Sequence, residues 1–172
     1  MKQVLAVLMV FSAPAAAAFG CSANIFYPDG GTRVTNVLAP DQMQFTTVSP
    51  VFEQRCGTLD CHGQVGRPLR IYSGNGLRLP NDAGDFPGVG ATTPEEIADN
   101  YYSVIGLQPE DMTRVIAGME PATDLLILAK PLGLEAHKGG TQIVMGDSAY
   151  DCITSWISGA VDAASCSAAT QQ

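Results

Sequence analysis

Residues 56–62 read Cys-Gly-Thr-Leu-Asp-Cys-His. Two thiols with four residues between them, and an imidazole directly after the second, are the side chains in this chain best suited to covalent or metal chemistry. The attachment signature of a c-type haem is C-x-x-C-H; here it is C-x4-C-H. The physical demands are the same. Two thiols, Cys56 and Cys61, add across the two vinyl groups on one edge of a haem, and His62 swings under the ring to ligate the iron. Other chemistries use the same residues. Cys56 and Cys61 form a disulfide in one, with His62 a bystander. Zinc is another, but adjacent Cys61 and His62 chelate poorly and no further Cys-His pair completes four ligands. A thioredoxin-like site wants C-x-x-C on a βαβ pattern, and neither is present.

A helix leading into Cys56 would present the motif. Ser49-Pro50 predicts one, with Ser49 as N-cap and Pro50 at the first helical position, running to about Cys56. Gly57 offers backbone freedom for the longer insert between the thiols. Thr93-Pro94-Glu95-Glu96 is a capping box, and the helix after it carries Ile97, Tyr101, Val104 and Ile105 on one face. Residues 109–117 and 123–130 predict two short helices. Asp147 caps a last helix, 148–158, with Tyr150, Ile153, Trp156 and Ile157 on its apolar face. Leu69 to Tyr72 is extended after Pro68, and residues 73–90 form a long Gly/Pro loop. The expected fold class is all-α, a small domain of short helices and long Gly/Pro-rich loops.

The chain has 172 residues, with 9 Lys+Arg against 17 Asp+Glu and a formal charge of −8. That balance sets nucleic-acid binding aside. Hydrophobic residues at 46% and charged ones at 15% give a foldable composition. Lys2, the apolar run Val4 to Phe11 and the small residues Ser12 to Ala18 read as an export signal, too short to span a bilayer. Cleavage after Ala18 is one reading; the other is a lipobox, Ala18-Phe19-Gly20-Cys21, with Cys21 acylated. The expected organisation is a signal peptide over 1–20, a tether or irregular arm over 21–46 and a folded domain over 47–172. Export places the cysteines in an oxidising compartment. With Cys21 on lipid and Cys56 and Cys61 on haem, Cys152 and Cys166 remain for a disulfide; a Cys56–Cys61 disulfide closes the tally equally well.

After His62 comes Gly63-Gln64-Val65-Gly66-Arg67-Pro68-Leu69, which resembles the cytochrome c family, where a Gly-rich stretch and then Pro-Leu follow the haem histidine. Asp124 to Pro131 (DLLILAKP), then His137-Lys138-Gly139-Gly140, then Tyr150 to Ala160 with Trp156-Ile157-Ser158-Gly159-Ala160, is similar to cytochrome c-like domains of exported bacterial proteins. The resemblance covers roughly residues 50–160, with a divergent middle and the unusual C-x4-C-H spacing. It implies a small cytochrome c-like domain with one covalent haem c, and a carbonyl near Pro68 accepting the Nδ1–H of the proximal His62. The distal ligand is expected between Pro131 and the last helix. Candidates are His137, Met43, Met112, Met119 and Met145. Met43 precedes the haem helix, and Met112 and Met119 read as core. His137, in the H-x-G-G element, is preferred to Met145. Arg55, Arg67, Arg70 and Arg78 cluster near the motif, and Arg67 and Arg70 are candidates to pair with haem propionates.

The implied function is single-electron transfer to a redox partner protein, by an electron carrier and not an enzyme. The protein would be periplasmic or at the cell surface, as an outer-membrane lipoprotein held to the membrane by lipid alone. The alternative is a haem-free, disulfide-stapled lipoprotein acting as a binding or assembly module.

Overall fold

The computed structural model describes residues 37–171. The expected signal peptide, Cys21 and most of the expected arm lie outside the described residues. The described residues all belong to one unit of the chain, with helices α1 (Gln42–Arg55), α2 (Pro94–Ile105), α3 (Pro109–Ile116), α4 (Leu126–Ala129), α5 (Ser148–Ile157) and α6 (Ala163–Ala169). Among the described residues there is no strand, only an isolated bridge between Tyr72 and Leu77. None of the helices is long and apolar enough to cross a membrane. The fold is a small all-α domain.

The first helix starts earlier than its sequence announces. Asp41 caps it, its carboxylate accepting the Met43 N–H at 2.6 Å. Ser49 is therefore no cap; it is buried within the helix and its hydroxyl donates to Glu53 at 2.7 Å. Pro50 lies inside α1. An interior proline costs a helix roughly 3 kcal/mol. The turns before it carry Phe45 and Val48, both 0% exposed. Burying two such side chains contributes about 1.5–3 kcal/mol each, enough to offset the proline. Phe45 packs against Phe52, Tyr101 and Trp156 at ring-centroid distances of 5.9, 5.7 and 5.0 Å. The expected boundary between arm and domain at residue 46 thus falls within α1.

The core is the contact of α1 with α2, α5 and α6. Trp156 on α5 is fully buried, and its Nε1–H donates to the Asp41 carbonyl at 2.9 Å. Asp147 caps α5 by accepting the Tyr150 N–H at 2.7 Å. Thr93 and Glu96 form the reciprocal capping box that opens α2, and Tyr101 and Val104 are buried on its inner face. The single helix expected over 123–130 is broken in two. A 3-10 turn, Ala122–Asp124, precedes α4, and Leu125 between them is extended at φ −72°, ψ 132°. That conformation goes with burial of Leu125, while Gln108 accepts the freed Leu126 N–H at 2.6 Å. The sequence carries no apolar period over α6. Asp162 caps it, and the Cys152–Cys166 disulfide ties it to α5.

Arg78 is a polar anchor of the loop over 73–90. Its guanidinium bonds both oxygens of Glu96, at 2.8 and 3.0 Å, and the carbonyls of Gly88 and Ala91 at 2.7 and 3.1 Å. Arg78 is therefore committed to Glu96 rather than to the Cys56–His62 motif. Burial alone would raise the Glu96 carboxyl's pKa. The Arg78 hydrogen bonds, the N–H groups of Thr93 and Leu79 and the guanidinium charge outweigh it and hold the pKa below its ordinary value.

Removing one partner of a buried ion pair strands the other. Arg78→Ala is expected to cost about 3–5 kcal/mol in denaturant unfolding. The carboxyl is depressed on folding, so its contribution is full above the ordinary Glu pKa of about 4.3. It is lost as pH falls through the lower folded value. Unfolding free energy followed from pH 7 to pH 2 should show that loss, and Glu96→Gln should flatten it.

Candidate functional site

The chain leaves α1 at Cys56, whose N–H bonds the Phe52 carbonyl at 2.8 Å, and turns back on itself at once. Cys61 N–H and Gly63 N–H donate to the Thr58 carbonyl at 3.0 and 2.9 Å, and His62 N–H donates to the Cys56 carbonyl at 2.9 Å. These bonds fold the four intervening residues into a compact loop that holds Cys56, Cys61 and His62 together. Gly57 is needed for space rather than for unusual dihedrals, since its φ is not positive. A Cβ there would lie 2.7 Å from the Glu53 carbonyl oxygen and 3.0 Å from Ile71 and Ser73. A Cβ on Gly63 would sit 2.3 Å from the Gly57 oxygen.

Residues 69–72, a bend at Leu69 followed by irregular chain rather than the expected extended run, fix the histidine. His62 Nδ1–H donates to the Leu69 carbonyl at 2.8 Å, one residue after Pro68, and Ile71 N–H donates to the His62 carbonyl at 2.9 Å. A carbonyl can only accept, so Nδ1 carries the proton and Nε2 keeps its lone pair. Burial lowers the His62 pKa, and His137 and Arg67 nearby lower it further, against the opposing pull of the Leu69 bond. His62 therefore stands as a neutral imidazole.

His137, some 75 residues away in sequence, lies beside it. The two ring centroids are 6.1 Å apart and the ring planes differ by 16°. His137 Nδ1–H likewise donates to a backbone carbonyl, that of Gly140, at 2.9 Å. Two metal–imidazole bonds of about 2.0 Å each, with a ring radius added at either end, span about 6 Å. The pair has the separation of two ligands on one metal.

Cys56, Cys61, His62 and His137 all line one cavity of about 320 Å³. Its walls are apolar, formed by Phe52, Leu69, Leu107, Leu126, Ile127 and Pro131. Cys56 and Cys61 are both free thiols, and the remaining described pair is the Cys152–Cys166 disulfide. Burial, reinforced by Cys61 and opposed by Arg55, pushes the Cys56 thiol up to about 12. Such a thiol is protonated at neutral pH and makes a poor nucleophilic or redox-exchange centre.

The basic residues sort differently from the expectation. Arg55 and Arg67 line the cavity, joined by Lys130 and Lys138. Arg70 does not line it; its guanidinium lies over the Tyr72 ring, 5.0 Å from the centroid. Lys130 and Lys138 come from residues 124–131 and 137–140, and their charge is the sequence signal that could have named them. Among the described residues no Asp or Glu lines the cavity. The methionines are placed elsewhere. Met112 is in the core, as expected. Met119 is not, being 72% exposed, and the alternative ligand Met145 is 58% exposed and absent from the lining.

Comparison with family models, with curated proteins and with solved structures finds no match to this chain. Among the described residues no three His, Cys, Asp or Glu side chains converge as a metal site.

Gly63→Ala is expected to open the Cys56–His62 loop and to destabilise the protein by about 1–3 kcal/mol, as overpacking does. Gly88→Ala, where an added Cβ meets nothing within 4 Å, should leave the melting temperature unchanged. Thermal unfolding of the two variants side by side checks the contrast.

Proposed function

We propose that this chain is a small exported c-type cytochrome that carries single electrons on one covalent haem. The observation that supports this most is the grouping of two free thiols and two imidazoles, each with Nδ1–H on a backbone carbonyl, around one apolar cavity. Cys56 and Cys61 would hold the group as thioethers. In each addition the sulfur bonds one vinyl carbon and the thiol hydrogen goes to the other, so the attachment itself exchanges no electrons. His62 would be the proximal ligand and His137 the distal one, each presenting Nε2 because a backbone carbonyl holds Nδ1–H. When bound, the haem supplies an iron that accepts and releases one electron; the chain's own residues hold it, orient it and exclude water from it. Arg67 and Lys138 are the groups suited to its propionates, while Arg55 and Lys130 face the same cavity but bond the Ala169 carbonyl and Glu135 with the Ala136 carbonyl.

A bare metal ion fits less well, because no third side-chain ligand joins the pair among the described residues. A haem iron asks the protein for one or two ligands only. The Cys152–Cys166 disulfide fits an oxidising compartment and so supports export. The redox partner would be another protein, and the membrane attachment a lipid on Cys21.

Denaturing electrophoresis followed by a haem-peroxidase stain should mark the protein made in a host with haem c machinery. Cys56→Ala/Cys61→Ala should abolish the stain. Mass spectrometry showing Cys56 bonded to Cys61 in such cells would sink the proposal in favour of the haem-free lipoprotein. The oxidised protein should lack the weak far-red charge-transfer band of a His/Met haem, and two imidazoles should give a lower potential than His/Met ligation.

For the anchor, Cys21→Ala should release the protein from membranes and end its labelling by a fatty-acid probe. A mature chain that begins at Phe19 refutes acylation.

A further inference from the structure

The two imidazoles are held by unlike means. His62 is fixed by the Leu69 carbonyl, and Leu69 is part of the core. His137 lies in a segment whose residues 133–142 are otherwise exposed, so the core does not orient it. Its ring is instead controlled by the four residues that it begins.

Gly140 N–H donates to the His137 carbonyl at 3.0 Å, closing a turn, while His137 Nδ1–H donates to the Gly140 carbonyl at 2.9 Å. Gly140 has φ +69°, a conformation that a side chain strains. A Cβ on Gly139 would lie 3.2 Å from Cε1 and 3.6 Å from Nε2 of the His137 ring, so the imidazole rests against a bare Cα. The turn is tied down from the C-terminal side. Gln142 Nε2–H donates to the Gly139 carbonyl at 2.6 Å, and the backbone N–H groups of Gln142 and Ile143 donate to the Pro131 carbonyl at 2.8 and 3.1 Å. Ile143 is buried and anchors the chain at that point.

From this geometry we infer that Gly139, Gly140 and Gln142 are positioning residues. They form a hydrogen-bonded unit that holds the His137 Nδ1–H on a backbone carbonyl and so presents Nε2 as a ligand. The inference rests on the cytochrome reading for what Nε2 would bind, but the hydrogen-bonded unit itself is a property of the chain. The three act together: Gln142 sets the Gly139 carbonyl, Gly139 leaves room for the ring, and the Gly140 carbonyl accepts the Nδ1–H hydrogen bond.

The test uses the purified full-length protein and two variants. Gly139→Ala crowds the ring, and Gln142→Glu keeps the side chain's length while removing the N–H. The first measurement is nitrogen-resolved NMR of the histidine rings, in the reduced, diamagnetic state when haem is present. The wild-type His137 should show a protonated, slowly exchanging Nδ1, and exchange should be at least about tenfold faster in both variants. The second is cyanide titration of the oxidised haem, which must displace the distal ligand. Loss of a partner behind a metal ligand weakens it about 10–100-fold, so half-displacement should need correspondingly less cyanide. Both substitutions lie in exposed chain, so the melting temperature should move little. If Gln142→Glu leaves Nδ1–H exchange and the cyanide titration as in wild type, the positioning role is overturned. A chain with no haem defeats the cytochrome reading alone, because the Nδ1 exchange measurement still decides this one.

Discussion

The hydrogen bond from His62 to the Leu69 carbonyl depends on a chain of contacts that reaches across the domain. Residues 69–72 are irregular and have no neighbouring strand, so their backbone groups must find partners elsewhere. The α2 helix supplies them. Ser103 Oγ accepts the Arg70 N–H at 2.8 Å. Asn100, fully buried, accepts the Tyr72 N–H at 2.6 Å and donates to the Tyr72 carbonyl at 2.9 Å. The Asn100 amide thus does for one residue what a paired strand would do. Any shift of α2 would move residues 69–72, and with them the carbonyl that orients His62. The capping box and the buried Glu96–Arg78 pair at the start of α2 therefore bear on the site, although neither touches it.

The charge distribution is as uneven as the packing. The chain carries 17 acidic residues against 9 basic ones, yet the cavity is lined by four basic residues and no acidic one. Its walls are apolar. Apolar walls with a cationic rim suit a flat apolar group that carries carboxylates, and they disfavour a hydrated cation, which would meet repulsion and little solvation.

The sequence signals that were legible are those in which one residue type does one local job. Thr93 and Asp147 announce their helices because a short oxygen side chain must accept a freed N–H. The periodic face of α2 is visible because an amphipathic helix has to bury a stripe. The Cys and His residues of the site could be named because few other side chains share their chemistry. What sequence did not disclose was decided by tertiary packing. Helix α1 runs through Pro50 because Phe45 and Val48 gain more from burial than the proline costs. Helix α6, made of Ala, Ser and Cys, has no apolar stripe and is held by a disulfide and a cap. Arg70 and Arg78 lie near His62 in sequence, but Tyr72 and Glu96 draw them off, while Lys130 and Lys138 arrive from the far end of the chain. Spacing along the chain says which charges are close in sequence, and only the fold says which face the same cavity.

The contrast between the two histidines also has a dynamic side. Local opening is governed by how much buried apolar contact an element must break. His62 cannot swing away without disturbing Leu69 and Ile71, both core residues. His137 can leave by breaking a four-residue turn in exposed chain. The loop pays its ordering entropy in that turn before any ligand arrives, so that capture of a metal by Nε2 would fix little further chain. One imidazole is thus coupled to global stability and the other to a local equilibrium. Across the cavity between them, the half made by α1, the Cys56–His62 loop and residues 69–72 is the rigid half, and the half that carries His137 is the one that can adjust.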